Sequence, residues 1–192
     1  MKGDGFIYGI KLIIPVIIFW AAWMTIKCLT KNAVAYPVDL EAIIKGARPG
    51  ICEEIAFRGI ATALILRKYR KAGNIWIPVV FPAVFFGLTH LANISGPDDI
   101  LQFSVVSAFA IVFGIIFDII FIRSGCLWPT VILHSLYDIA LMCIVNTKES
   151  SDLLILVDVG GLTIIMIIYL IVFLRNKEQS AALWDTKWHN KL

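Results

Sequence analysis

Apolar residues run along the chain in long blocks, separated by short polar connections that hold most of the charge. A helix needs about 20 mostly apolar residues to cross the hydrocarbon core of a bilayer. Six blocks predict spanning helices: Phe6–Cys28, Ile51–Leu66, Ile75–Leu91, Ile100–Ile122, Leu127–Val145 and Leu153–Leu174. The second and third are short, and a deep, water-accessible cleft would account for that. Between the first two, Asp39–Lys45 reads as an amphipathic stretch lying at the interface. Arg48-Pro49-Gly50 then predicts a backbone break ahead of the second helix. The first block is longer than the apolar core of a signal peptide and no A-x-A site follows it, so it is read as a membrane helix. Trp20, Trp23, Trp76 and Trp128 fall near block ends, where indole rings anchor at the membrane surface.

Composition supports the same class. The chain is 59% hydrophobic and 16% charged, with a mean hydropathy of +0.85. Soluble domains are nearer 45–50% apolar and about 25% charged. The fold class expected is all-α, a polytopic transmembrane helix bundle of about six spanning helices, with a single domain over residues 1–192 and a motif core at 51–145. Cys28, Cys52, Cys126 and Cys143 show no CxxC spacing and read as small packing residues. The apolar excess predicts a lipid bilayer as surroundings and no nucleic-acid partner, and the net charge of +3 matters less than the placing of the charges between the apolar blocks.

Lysine and arginine set the topology. Arg67, Lys68, Arg70 and Lys71 follow the second block, and Arg175, Lys177, Lys187 and Lys191 follow the last. The 92–99 connection has neither residue type and carries Asp98 and Asp99. The second and fourth connections and both termini are therefore expected in the cytoplasm, with the chain a multi-pass protein of a cell membrane. Lys31, Lys45 and Arg48 in the first connection run against this orientation, and a re-entrant loop there would reconcile them. Leu183, Trp184 and Trp188 in the tail are expected at the membrane surface, and His189 in solvent.

Ionisable residues inside apolar blocks are costly and point to function. Glu54 and Arg58 are four apart on one helical face, in the favourable order for an ion pair. Glu53 is turned about 100° away and is left as a free carboxylate suited to general-base work. Phe86 and His90 share a face, as do His134 and Asp138, whose carboxylate can orient the imidazole. Each pair also has a plain reading: charges at the headgroups, a satisfied core histidine, or polar residues joining two helices. Asp118 and Asp158 are expected to pair with Lys11 or Arg58. Convergence of the three motifs would make a site able to activate water and stabilise an oxyanion.

Glu53-Glu54-x-x-x-Arg58, Phe86-x-x-x-His90 and His134-x-x-x-Asp138 resemble, in order and membrane placement, the three motifs of the CAAX protease and bacteriocin-processing family, the Abi proteins of bacteria. The resemblance implies an intramembrane endopeptidase of a bacterial cell membrane acting on a peptide or membrane-protein substrate, with bacteriocin self-immunity as a typical role of small bacterial members. Glu53 and His90 would activate water. His134 and Asp138 would form the oxyanion site, Glu54 and Arg58 would brace it, and Phe86 would shape it. Eukaryotic CAAX endopeptidases carry asparagine where this chain has Asp138, and an ionised carboxylate only accepts hydrogen bonds. Asp138 would then act when protonated, or by orienting His134. No cofactor is required by this mechanism. Zinc is the alternative, with Glu53, His90 and His134 as its ligands, although no HExxH helix is present. Two other classes stay open: a non-catalytic scaffold or regulator of a sensor or peptide exporter, and a small transporter using Glu53, Asp118 and Asp158 as a proton path.

Overall fold

Among the described residues seven α-helices follow one another as α1 (Asp4–Leu29), α2 (Leu40–Glu54), α3 (Ala63–Tyr69), α4 (Ile77–Thr89), α5 (Ile100–Ser124), α6 (Trp128–Cys143) and α7 (Asp152–Arg175). The computed structural model describes residues 4–30, 32–69, 76–97, 100–146 and 152–176. The side chain of Asp158, the connecting residues Arg70, Lys71, Asp98 and Asp99, and the tail with Trp184, Trp188 and His189 lie outside the described residues.

Helix α5 is apolar on every side because α1, α4, α6 and α7 cover it. Phe113–Ser124 is buried throughout except at half-buried Ile115. The outer helices turn apolar side chains outward, among them Ile18, Ile60, Phe85 and Ile164. Exposed apolar surface on this scale suits lipid. Two helices, Gly5–Leu29 and Ile100–Ser124, are long and apolar enough to cross a membrane among the described residues. Ile77–Asn93 and Thr163–Arg175 are shorter apolar helices.

The predicted break at Arg48-Pro49-Gly50 does not occur. Helix α2 runs through Pro49 and continues as a π-helical segment, Ile55–Thr62, and then as α3. An internal proline lacks an N–H and crowds the preceding turn, at about 3 kcal/mol or more. Packing offsets this. A Cβ on Gly50 would lie 2.7 Å from the Ser135 nitrogen, and one on Gly46 would lie 2.8 Å from the Ile139 Cα. The two glycines thus let α2 lie directly on α6. Asp39 caps the start of α2, its Oδ1 accepting from the Ala42 N–H at 2.7 Å.

Burial along this rod recurs every four residues, at Ala42, Gly46, Gly50, Glu54, Arg58, Thr62 and Leu66. In an α-helix each four-residue step overshoots a turn by about 40°. The wider π turn runs the other way and keeps the stripe facing inward. Its α part therefore meets α6, while its π part meets α4 and α5. The second short block of the sequence is thus the middle of a longer rod.

Two short strands close one end of the bundle, Ala33–Ala35 pairing antiparallel with Ile144–Asn146. At the other end Arg123 reaches the Tyr8 hydroxyl and the Val172 carbonyl, so α1 starts where α7 finishes. Trp76 and Trp128 are exposed at that end. Trp20 and Trp23 are not anchors. Trp23 is buried and Trp20 stacks on Tyr137 at 4.0 Å, because α1 packs against α6 over this stretch. All four cysteines are free thiols.

Candidate active site

Glu54 ends α2 fully buried, and its Oε1 has two partners. Arg58 Nη1 donates to it at 2.9 Å, one turn along the same rod. His134 Nδ1 lies 2.9 Å away on α6. A carboxylate only accepts, so Nδ1 carries the proton of this bond. Glu54 therefore does more than pair with Arg58: it fixes the orientation of the histidine.

Arg58 is fully buried and needs more than one counterpart. Its Nε lies 3.4 Å from Asp118 Oδ1, and Thr62 donates to the same oxygen at 2.7 Å. The guanidinium sits over the rings of Phe86 and Phe117, 4.6 and 5.1 Å from their centroids. A buried cation is tolerated when it is paired, and aromatic faces add to this; only Nη1 of the guanidinium makes a hydrogen bond among the described residues, Nε and Nη2 making none. Asp118 pairs with Arg58, as one of the two sequence alternatives had it, while Lys11 is exposed.

The far side of the His134 ring faces two more carboxylates. Nε2 is 3.5 Å from Asp138 Oδ2 and 3.8 Å from Glu53 Oε2. The Glu53 side chain is 38% exposed, so the carboxylate expected to be buried and free is instead at the rim of the site, where water reaches it. Helix geometry divides the adjacent glutamates: the residue on the buried stripe is locked, and its neighbour, about 100° round, is not.

His90 closes α4 at the head of a 3-10 turn, His90–Asn93. Its Nδ1 lies 3.0 Å from the Phe86 carbonyl. A carbonyl can only accept, so Nδ1–H donates and Nε2 presents a lone pair. The Phe86 ring stands edge-on to His90, His134 and Phe57, at 5.1, 5.8 and 5.1 Å between centroids. Glu53, His90, His134 and Glu54 all act electrostatically on Asp138. The seven motif residues thus gather in one region from three parts of the chain.

A family model described as type II CAAX prenyl endopeptidase Rce1-like matches residues 40–140, more than half of the chain. The chain belongs to the Rce1-like family. Neither a curated protein nor a solved structure matches it. The Rce1-like region takes in every motif residue and leaves α1 and α7 outside. Members of this family are membrane-embedded peptide hydrolases, so the protein is an enzyme of that class.

For an Rce1-like enzyme, metal use turns on the ligand set. Among the described residues no three His, Cys, Asp or Glu side chains are gathered as a metal would need them. Glu53, His90 and His134, the ligands named for the zinc alternative, do not form such a group here. No step below is routed through a metal.

Sequence reasoning missed Thr62, Gly114 and Phe117. A Cβ on Gly114 would come 2.8 Å from Ala83 Cα and 3.2 Å from Arg58 Nη2, so glycine lets α4 and the guanidinium close on α5. Phe117 also lies 5.5 Å from the His134 ring. The available signal was Gly114-x-x-Phe117-Asp118, a glycine and a charge inside the apolar run from Ala108 to Ile122.

Proposed function

We propose that the protein is an intramembrane endopeptidase that hydrolyses a peptide bond near the membrane surface, using water activated by Glu53 and His90. The whole chain acts as one domain with about six crossings in the cytoplasmic membrane of a bacterium. The observation that carries the reading is the His134 imidazole, held at Nδ1 by buried Glu54 and turned with Nε2 towards Asp138 and Glu53.

In the reaction, Glu53 or His90 Nε2 takes a proton from water as its oxygen bonds to the scissile carbonyl carbon. Negative charge then collects on the carbonyl oxygen. His134 meets it as an imidazolium, with Nδ1–H on Glu54 and Nε2–H free to donate once the substrate displaces its contact with Asp138. The proton taken from water passes to the departing amine nitrogen as the C–N bond breaks. Two products form with no acyl-enzyme: a carboxylic acid, which loses its remaining water-derived proton to become a carboxylate, and an amine, which takes up that proton. Asp138 orients His134, and Arg58 offsets the charge of Glu54 and Asp118. Family membership supports a peptide substrate. Bacteriocin self-immunity and the processing of secreted peptides are the roles that suit a small member.

The test compares peptide N-termini from membranes and medium of the native host carrying either wild type or Glu53→Gln at equal levels. Termini found only with wild type are expected. Identical profiles, with a host phenotype rescued equally by both, would replace the peptidase with a scaffold.

A further inference from the structure

Asp118 belongs to none of the three motifs, yet it is a charge in the sealed cluster behind His134. It comes from α5 and meets the rod where Arg58 and Thr62 lie four residues apart. Glu54, Arg58, Thr62 and Asp118 are each 0% exposed. Burying a carboxylate is costly. Arg58 alone does not call for it, because Glu54 already supplies one negative charge for one guanidinium. The second carboxylate has another reason, and it lies in the oxygen that Arg58 and His134 share.

Glu54 Oε1 meets both Arg58 Nη1 and His134 Nδ1, each at 2.9 Å. Two donors thus draw on one carboxylate oxygen. The harder the guanidinium pulls on it, the less negative charge is left for the imidazole. Asp118 Oδ1 lies 3.4 Å from a different nitrogen of the guanidinium, Nε, and Thr62 holds that oxygen in place at 2.7 Å. The Nε contact makes no hydrogen bond and acts through charge, drawing the cation away from Glu54. Gly114, one turn before Asp118, lets the guanidinium come this close to α5.

The aromatic walls reinforce the coupling. Phe86 lies 4.6 Å from the Arg58 guanidinium carbon and 5.8 Å from the His134 ring, and Phe117 lies 5.1 and 5.5 Å from the same two groups. Both rings therefore border both donors. In a site sealed from water, charges are weakly screened and feel one another strongly. The charges also balance in the reaction given above: Arg58 and the His134 imidazolium face Glu54 and Asp118. Without Asp118, both cations would depend on Glu54 from within the core, since Glu53 and Asp138 stand on the other side of the ring.

We propose that Asp118 is a positioning residue for the hydrolysis. Acting through Arg58, its charge keeps Glu54 Oε1 available to His134 Nδ1 and so holds the imidazole as the oxyanion donor. The catalytic half rests on the peptidase reading; the effect on the imidazole does not.

The test uses purified full-length protein carrying 15N-histidine. The chain has three histidines, and His134→Gln identifies the His134 signals by their loss. A ring N–H donating to a buried carboxylate gives a far-downfield proton signal, which moves upfield as the bond weakens. Asp118→Asn leaves an acceptor for Thr62 and removes only the charge. Its Nδ1–H signal is expected upfield of wild type. An unmoved signal, or no downfield signal in wild type, overturns the inference. Should Asp118→Asn fail to accumulate, Arg58→Gln with Asp118→Asn removes one charge of each sign and is measured instead. Its signal is expected at or downfield of wild type, because Glu54 then serves His134 alone; an upfield shift overturns the route through Arg58.

Cleavage is measured on a synthetic peptide spanning a bond cut only with wild type in the survey of termini. For Asp118→Asn, kcat should fall about tenfold with KM unchanged, as when a charge-assisted hydrogen bond weakens to an ordinary one. Phe173→Leu, altering a buried residue of α7, serves as a variant of lowered stability and should keep the wild-type kcat. Equal kcat values for these two variants, each measured where it is fully folded, overturn the catalytic half. Failure of the peptidase reading shows differently: no such bond is found, while the imidazole signal still decides the rest.

Discussion

Replacing Asp118 by asparagine removes one negative charge from a cluster sealed from water. Arg58, Glu54 and Asp118 are each 0% exposed, and Arg58 Nε is 3.4 Å from the aspartate. Stripping one partner from a buried ion pair costs about 3–5 kcal/mol, because the other charge is left uncompensated. Two features reduce this here. Glu54 still pairs with Arg58 at 2.9 Å, and asparagine still accepts from Thr62. The expected loss is about 2–3 kcal/mol, below the range for a fully stranded partner. For a chain of this length about 1 kcal/mol shifts Tm by about 2–4 °C, so Asp118→Asn should melt roughly 4–12 °C lower. Thermal unfolding of detergent-purified protein would be followed by the reactivity of Cys143, 6% exposed in the fold, in a background where exposed Cys52 and half-buried Cys28 and Cys126 are replaced by serine. Asp118→Leu should lose more, because it also strands the Thr62 hydroxyl. Adding Arg58→Met to Asp118→Leu should recover part of that loss by removing the unpaired cation. Asp118→Asn melting within about 1 °C of wild type, or a double variant no better than Asp118→Leu, would refute the network as described.

Other consequences are as direct. Glu53→Gln should lower the cleavage rate by about 10²–10⁴, the usual contribution of a general base, with little change in Tm because Glu53 stands at the rim; a large Tm loss would make it a structural residue. Phe86→Ala should cost about 3–5 kcal/mol in the same melt, since a large buried ring is removed from among Arg58, His90 and His134; a change under about 1 kcal/mol would deny it a packing role. Gly50→Leu should force α2 off α6, and cleavage should fail even with Glu53 and Glu54 intact; undiminished cleavage would mean that this contact does not position the glutamates. Prolonged treatment with a zinc chelator should leave cleavage unchanged; loss of activity restored by added zinc would replace the metal-free route.

The order and spacing of Glu53, Glu54, Arg58, Phe86, His90, His134 and Asp138 were legible in the chain because each motif is a statement about one helix. Residues four apart share a face wherever the helix is placed, and a charge in an apolar block stands out without knowing its neighbours. The all-α class and the apolar surroundings followed from composition in the same way. What the linear pattern could not carry was contact between helices. Pro49 reads as a break until Gly46 and Gly50 are seen lying against Ile139 and Ser135. Trp20 reads as an anchor until Tyr137 of α6 stacks on it, and Trp23 until the fold buries it. Glu54 reads as a partner for Arg58 alone until His134 arrives from 80 residues away. The division between paired Glu54 and free Glu53 was legible in the 100° step between them, but that Glu54 would be buried and Glu53 solvent-accessible was decided by which face of α2 meets the core. Periodicity along one helix is local physics, and the sequence holds all of it. Which faces meet depends on close packing between distant segments, and only the folded chain decides that.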